Sequence, residues 1–443
     1  MNDVIQKNGN GNSTENLPAQ KPKYKFLFIS WESLSGDLAW KIKNEGHEVK
    51  CYIKNVTDEY DGILEKVSDW KSLIDWADII IFDDTGFGKE ADKLRRAGKA
   101  VVGGSEYTDR LEEDREFGQA EMKRLGMLTC PSWDFANYDD ALTFIKEHPG
   151  RYVFKPSGYT HDDAKILFTG KEEDGRDLYE IIEQNKKVFE KRIKTFQLQK
   201  YINGVEVGAS AFFNGQNFIT PILVAFEHKR LFPGELGSIT GEMGTSMFWY
   251  EPNKLFRDTT GKMEEELRKA GYVGYIDINC IVNGRGIYPL EFTCRFGYPT
   301  ISIQQEGVLS EWGEFLYAIA HNQPYELKTK KGFQIGVVCV VPPFPYDDKV
   351  EIGIYRDLSI VFKKLNFDGV HIGDVKITDN AWRVAGNSAY VLVITGSGST
   401  MEEARKQAYS RIDNIILVNM FYRTDIGSAW GEDSDKLMTW GYI

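Results

Sequence analysis

The residues best able to do chemistry together lie between 271 and 297, in the stretch GYVGYIDINCIVNGRGIYPLEFTCRFG. Asp277 and Glu291 fall on two apolar runs, 272–282 and 286–292, joined by an Asn-Gly-containing turn at 283–286. A hairpin there would set the two acids on neighbouring strands. Two carboxylates on one face repel each other unless a cation lies between them. Magnesium fits that role, because it takes hard oxygen ligands and is bound by one or two carboxylates together with substrate phosphates. Arg295, just past Glu291, could grip phosphate oxygens bidentately. The plain alternative is a hairpin carrying two exposed acids.

Two further stretches carry charge in a suggestive form. Lys155 closes the apolar run RYVF, and a lysine leaving a strand can act as a point charge on a phosphate. Alone it says little, since most lysines merely solvate a surface. FEHKR at 226–230 supplies His228, Lys229 and Arg230 and runs into GELGSITGEMG at 234–244, which has four glycines. Such loops let backbone N–H groups close on an anion. The competing reading is a mobile surface loop.

The elements that must position these residues follow a clear plan. Apolar strands at 25–29, 48–53, 79–82 and 100–102 alternate with helical spacing at 35–45, 70–78 and 91–98, which predicts a parallel α/β domain over 24–126. A charged helix runs from Asp109 to Leu125. Helices at 138–148 and 176–188 and strands at 151–155 and 195–201 predict a smaller α+β unit. Residues 205–226 alternate like antiparallel strands turning at Asn214–Gly215, and 227–247 reads as loop. Helices are expected at 260–271 and 309–321. After Lys331 the pattern becomes mostly β, with strands at 333–341, 359–363, 371–377 and 389–395. A helix at 400–415 follows Ser399/Thr400, with Glu402 and Glu403 in its first turn. The divisions are a polar tail 1–23, the domain 24–126, a second domain 127–330 with a lid subdomain near 131–204, and a C-terminal domain 331–443.

Composition narrows the function classes. With 42% apolar residues, 27% charged and 26 Phe, the chain can build more than one core and is not disordered. A net charge of -12 argues against broad nucleic-acid binding. The five cysteines form no C-x-x-C pair and read as reduced cytosolic thiols. The amino-terminal stretch lacks the apolar core of a signal peptide, and no apolar run is of bilayer-spanning length. The expectation is a cytoplasmic protein with small-molecule substrates, no membrane association and no nucleic-acid partner, either a monomer or a homodimer.

The order of the motifs is more specific than any one of them. Lys155, then QKYINGVEV (199–207), EHKR, TGEMG (240–244), LEFTCRFGYP (290–299) and TMEEARKQAYSRIDNI…MFYRTDIG (400–427) resembles the phosphoribosylamine–glycine ligase family, also called glycinamide ribonucleotide synthetase. AWKI at 39–42 fits as well, so the likeness runs from about residue 25 to 427. The resemblance implies an ATP-grasp fold, in which α+β subdomains close on ATP and magnesium or manganese. It further implies phosphorylation of glycine's carboxylate, followed by attack of the phosphoribosylamine amine on the acyl phosphate. Carried over, Lys155 and Arg115 would hold ATP phosphates. Gln199, Lys200 and Tyr201 would line the adenine pocket through their backbone, and Glu206 would accept from the ribose hydroxyls. Glu291 and Thr293, with Asp277 as other ATP-grasp ligases would have it, would bind the metal. Lys229, Arg230 and Arg295 would serve the phosphoryl group, and segments 156–163 and 234–244 would be lids.

Departures from that family concentrate on the acceptor side. SWESLSGD (30–37) replaces a glycine-rich phosphate loop with one glycine, Trp31 and the acids Glu32 and Asp37. Thr293 stands for an expected asparagine, GYPT (297–300) for GDPE, GSITGEMG (237–244) for GPNTGGMG, and AGNSA (385–389) lacks an arginine. Three readings follow: the family reaction, a paralogue with the same carboxylate activation and another amine, and an inactive nucleotide binder.

Overall fold

The computed structural model describes residues 21–157, 166–346 and 348–443. The amino-terminal strands Lys25–Ser30, Glu48–Ile53, Glu65–Val67, Ile79–Phe82 and Val101–Val102 form one parallel sheet. In space their order is 65–67, 48–53, 25–30, 79–82, 101–102, so the direction of winding reverses between 25–30 and 79–82. Such a reversal opens a crevice at the carboxyl ends of the strands. Here those ends are Trp31-Glu32 and Asp83-Asp84. The expected helix at 70–78 reduces to a 3-10 turn, Lys71–Leu73.

A second sheet orders its antiparallel strands as 132–135, 195–200, 152–157, 168–169. One face buries Tyr152, Phe154, Phe196 and Leu198 against the helices Tyr138–Glu147 and Arg176–Arg192. Strand pleating then turns Val153, Lys155, Gln197 and Gln199 to the other face.

The central sheet has eight strands, in the order 286–293, 274–283, 205–213, 222–227, 244–250, 333–340, 390–398, 370–372. The stretch after Lys331 therefore builds no separate main sheet: three of its strands extend this one. Segment 227–247 is not a loop. It forms the hairpin Arg230–Phe232 with Leu236–Ile239 and then enters the central strand Gly244–Tyr250. Period-two alternation fixes the two faces of the sheet. Ile276, Ile278, Cys280 and Val282 pack with Val207, Ala209 and Ala211 on one side, in a core that includes Leu111, Met122 and Leu437. The opposite side receives Asp277, Asn279, Glu291, Thr293, Glu206 and Ser210. The helix Thr300–Gly307, unforeseen in the sequence, packs on strands 333–340 and 390–398. Trp430–Thr439, also unforeseen, packs behind 205–213 and 274–283. Among the described residues no helix is long and apolar enough to cross a membrane.

Candidate active site

The hairpin expected at 283–286 is present, with Asn283 opposite Gly286. It sets Glu291 opposite Asn279 and Thr293 opposite Asp277. The next strand places Ser210 beside Asp277 and Gly208 beside Asn279. One face of four strands thus gathers acids from points far apart in the chain, and Lys229 reaches into them. Its ammonium lies 2.8 Å from Glu291 Oε1, 3.3 Å from Glu227 Oε2 and 3.5 Å from Glu206 Oε1. The Asn279 amide ties two of these together, donating to Glu206 at 2.8 Å and to Glu227 at 3.2 Å.

The electrostatics follow from this geometry. The Lys229 ammonium holds Glu291 down to about 2, helped by Lys155 and Arg115 and opposed by burial. Glu291 is therefore an ionised carboxylate whose side chain is still 57% exposed at the cleft mouth. Burial would pull Lys229 down, but the surrounding carboxylates raise it well above an ordinary lysine, so it stays charged. Lys155, on the face of the second sheet away from its aromatic core, is lowered to about 8 by burial and by Arg115, with Glu291 opposing. Lys155 and Arg115 thus lie near enough to Glu291 and Lys229 to act on their charge. Arg115 begins the helix Arg115–Arg124, whose N-cap Asp114 accepts from the Phe117 N–H.

Other sequence-derived candidates have different surroundings. Gln199 is buried beside Cys130 on the Lys155 face. The Lys200 N–H is given to the Pro131 carbonyl and the Tyr201 N–H to the Arg151 carbonyl, so these backbone donors are occupied. The Tyr201 ring lies under the Arg151 guanidinium at 3.5 Å. Glu206 is engaged by Lys229 and Asn279, though its side chain remains 42% exposed. Arg230 donates to the Gly237 carbonyl at 2.8 Å, across its own hairpin. Arg295 stands apart from Lys229. Its Nε lies 3.1 Å from Asp84 and 3.0 Å from Glu112, so its charge is taken up by two carboxylates of the amino-terminal side. Of the expected lids, 234–244 is the hairpin arm and its return, while 156–163 lies mostly outside the described residues.

Two participants escaped the sequence reading. Glu227 falls two residues before Lys229 on the strand Ile222–Glu227, and alternation turns both toward the acids. Glu242 lies in TGEMG and is buried beside Glu227 and Asp277, which hold its carboxyl well above the ordinary range after burial itself.

The amino-terminal side is acidic. A recess of about 370 Å³ opens at the reversal of the amino-terminal sheet, lined by Trp31, Glu32, Asn55, Asp84, Thr85, Gly86 and Glu113. The Trp31 indole N–H donates to the Thr85 carbonyl at 2.8 Å, and Lys54 sits over the Trp31 ring at 3.8 Å. No glycine-lined phosphate cradle forms among these described residues.

A divalent ion fits the outer carboxylate. Glu291 is ionised and open to the cleft, and Thr293 follows it on the same face. Among the described residues, no three acid, histidine or cysteine side chains converge closely enough to hold an ion by themselves. Asp277, 5% exposed, lies further in. An ion at the mouth would depend on phosphate oxygens for the rest of its shell, as magnesium commonly does.

Two α+β layers that bring a lysine-bearing sheet over a carboxylate-bearing sheet, next to a parallel α/β domain, define an ATP-grasp protein. Comparison with known proteins takes this further. Residues 113–301 match the phosphoribosylglycinamide synthetase ATP-grasp (A) domain family. The phosphoribosylamine–glycine ligase of Thermotoga maritima is 27% identical over 409 residues, 88% of this chain and 95% of that one. That of Streptococcus pneumoniae R6 is 26% identical over 380 residues, 82% and 88% of the two chains. A crystal structure of the Thermotoga maritima enzyme has a TM-score of 0.66 at 21% identity, covering 91% of this chain and 100% of that one. The biotin carboxylase domain of Hydrogenobacter thermophilus 2-oxoglutarate carboxylase, solved with MgADP and bicarbonate, has a TM-score of 0.60 at 12% identity over 90% and 92% of the chains. Residues 113–301 thus match that ATP-grasp domain family, and over most of its length the chain is similar to phosphoribosylamine–glycine ligases.

Proposed function

We propose that this chain is an ATP-dependent carboxylate–amine ligase whose reaction is that of its relatives: glycine, phosphoribosylamine and ATP giving glycinamide ribonucleotide, ADP and phosphate. The observation that carries the reading is the Lys229–Glu291 pair with Lys155 and Arg115 near enough to act on its charge. A glycine carboxylate oxygen attacks the γ-phosphorus and ADP departs. The acceptor amine then attacks the acyl carbon, phosphate departs, and the amine proton is lost.

Lys155 and Arg115 neutralise charge on the transferring phosphoryl group, and Lys229, fixed by three carboxylates, needs no reorganisation to do the same. Gln199 borders the nucleotide side and Glu206 has free surface for a ribose hydroxyl. Glu291 and Thr293 would hold the magnesium or manganese ion, which supplies charge neutralisation and orientation of the phosphates. The arm 230–239 begins directly at Lys229 and is placed to shield the acyl phosphate from water.

A second reading keeps the same activation of a carboxylate but uses another amine. The acid-lined recess at Glu32, Asp84 and Glu113 favours it, since those groups repel a phosphate. A phosphate-release assay with ATP, magnesium and glycine, with and without phosphoribosylamine, decides between them. Release requiring both substrates supports the first reading, and release with glycine and a different amine the second. ATP binding without release under any mixture would reject both.

A further inference from the structure

The inner end of the cleft holds two carboxylate oxygens with nothing to bind. Asp277 is 5% exposed and Glu242 7% exposed, and no donor among the described residues reaches Asp277 Oδ1 or Glu242 Oε1. An unsatisfied buried carboxylate oxygen is costly, so native structures keep one chiefly where something else supplies the donor.

The surroundings are built for polarity. Tyr275 and Asp277 share a strand face with Ser210 of the neighbouring strand, and the Tyr275 hydroxyl donates to Ser210 Oγ at 2.6 Å. Gly208 leaves room for the Asp277 carboxylate: a Cβ there would sit 2.7 Å from Oδ1. Glu227 is near enough to raise both carboxyls and pairs with Lys229 at 3.3 Å. Glu242 is tied to the catalytic cation through its own segment, since the N–H and hydroxyl of Thr240 both donate to the Lys229 carbonyl, at 2.8 and 2.9 Å. One short stretch of chain therefore presents a cation at the mouth and an unpaired acid within.

Around this site stand Glu206, Glu227, Glu242, Asp277 and Glu291 with Lys229, Lys155 and Arg115, and burial followed by the neighbouring acids raises the carboxyls of Asp277 and Glu242. ATP with its divalent ions is close to neutral, so it brings no donor to the two inner carboxyl oxygens. A substrate with an ammonium of its own would supply the missing donor. An ammonium suits two or three acceptor oxygens at the end of a pocket, whereas a divalent ion asks for about six oxygens in fixed geometry. No three acids converge here among the described residues.

We infer that Asp277 and Glu242 hold the ammonium of the amino-acid substrate, and so select a short zwitterion whose carboxylate reaches back toward Lys229 and the transferred phosphoryl group. Glu242 occupies a position where the resembling family has glycine, so the device belongs to this chain. This inference rests on the ligase reading for the direction in which the carboxylate points.

The test is calorimetric titration of the full chain with magnesium and a non-hydrolysable ATP analogue, using glycine and glycolate, which replaces the ammonium with a hydroxyl. Glycine should bind at least about tenfold more tightly than glycolate, the scale of a charged hydrogen bond. Glu242→Gln should weaken glycine by about 10- to 100-fold, leave glycolate unchanged and leave the nucleotide analogue bound as before. Asp277→Asn should act in the same direction. Equal affinity for glycine and glycolate in the unmodified protein would overturn the assignment, with no variant needed. So would recovery of glycine binding in Glu242→Gln on raising magnesium, which would make this an ion site. Selective glycine binding in a protein that never releases phosphate would refute the ligase reading and leave the ammonium seat standing.

Discussion

Lys155 gives a prediction with a number attached. Its ammonium titrates at about 8, lowered by burial and by neighbouring Arg115 and partly restored by Glu291. If the charged form grips the phosphates, then above pH 8 the protein must take up a proton as it binds nucleotide. Affinity should fall by about a decade per pH unit there, or about 30-fold between pH 7 and 9.5, which is about 2 kcal/mol. Lys229 does not confuse the result, because its carboxylate partners keep it charged throughout. Without nucleotide the sign differs. An unfolded lysine, near 10.5, binds more protons than the folded one, so this group adds stability as pH rises from about 8 toward 10.5. The assay is calorimetric titration of ATP with magnesium in buffers of different ionisation enthalpy. Lys155→Arg should flatten the profile, since a guanidinium keeps its proton. Any slope left in that variant belongs to the acids of the cleft. A wild-type affinity that is level from pH 7 to 9.5, without proton uptake, would refute the placement of Lys155 on the phosphates.

Three further outcomes follow from the contacts. Glu291→Gln should lower turnover by about 100-fold or more while the fold persists, measured by phosphate release and thermal melting, because the ion would lose its protein ligand. Glu306 accepts from Lys330 and Ser397 at 2.8 Å and from Arg411 at 3.0 Å, and hydrogen bonds from these partners, against burial, hold it at about 2. Its contribution, about 3 kcal/mol, is present above pH 4.5 and is lost as pH falls toward 2, so Glu306→Gln should lower stability at pH 7 and reduce the acid dependence of urea midpoints. Arg423 is 1% exposed and bonds Asp425, Glu235 and the Arg230 carbonyl. Arg423→Met should cost about 3 kcal/mol and loosen the arm 230–239; a loss below about 1 kcal/mol would show that solvent takes over its partners.

Local chemistry made much of the site legible in the sequence. The Asn-Gly turn fixed the 274–283/286–293 hairpin, and ordered motifs placed Lys155, Lys229 and Glu291 in one nucleotide domain. Sheet register was not legible. That Lys229 would sit 2.8 Å from Glu291 depends on four strands aligning, and nothing near residue 229 encodes that contact. The four glycines of 234–244 imitated a loop, but tertiary pairing made the stretch an arm and a central strand. Helix Thr300–Gly307 escaped because it is buried on nearly every side, including Gln304 and Glu306, and so shows no polar stripe. The resemblance gives Arg295 and Arg230 to the phosphoryl group, while Asp84 and Glu112 engage the first and the Gly237 carbonyl the second; nothing near residue 295 encodes its two partners.

If this site uses ATP to activate a carboxylate, hydroxylamine will trap the product without knowledge of the natural amine. The full chain with ATP, magnesium, glycine and hydroxylamine should yield glycine hydroxamate and ADP in equal amounts, with none from Glu291→Gln. ADP formed at the same rate whether or not glycine is present, with no hydroxamate, would contradict the account.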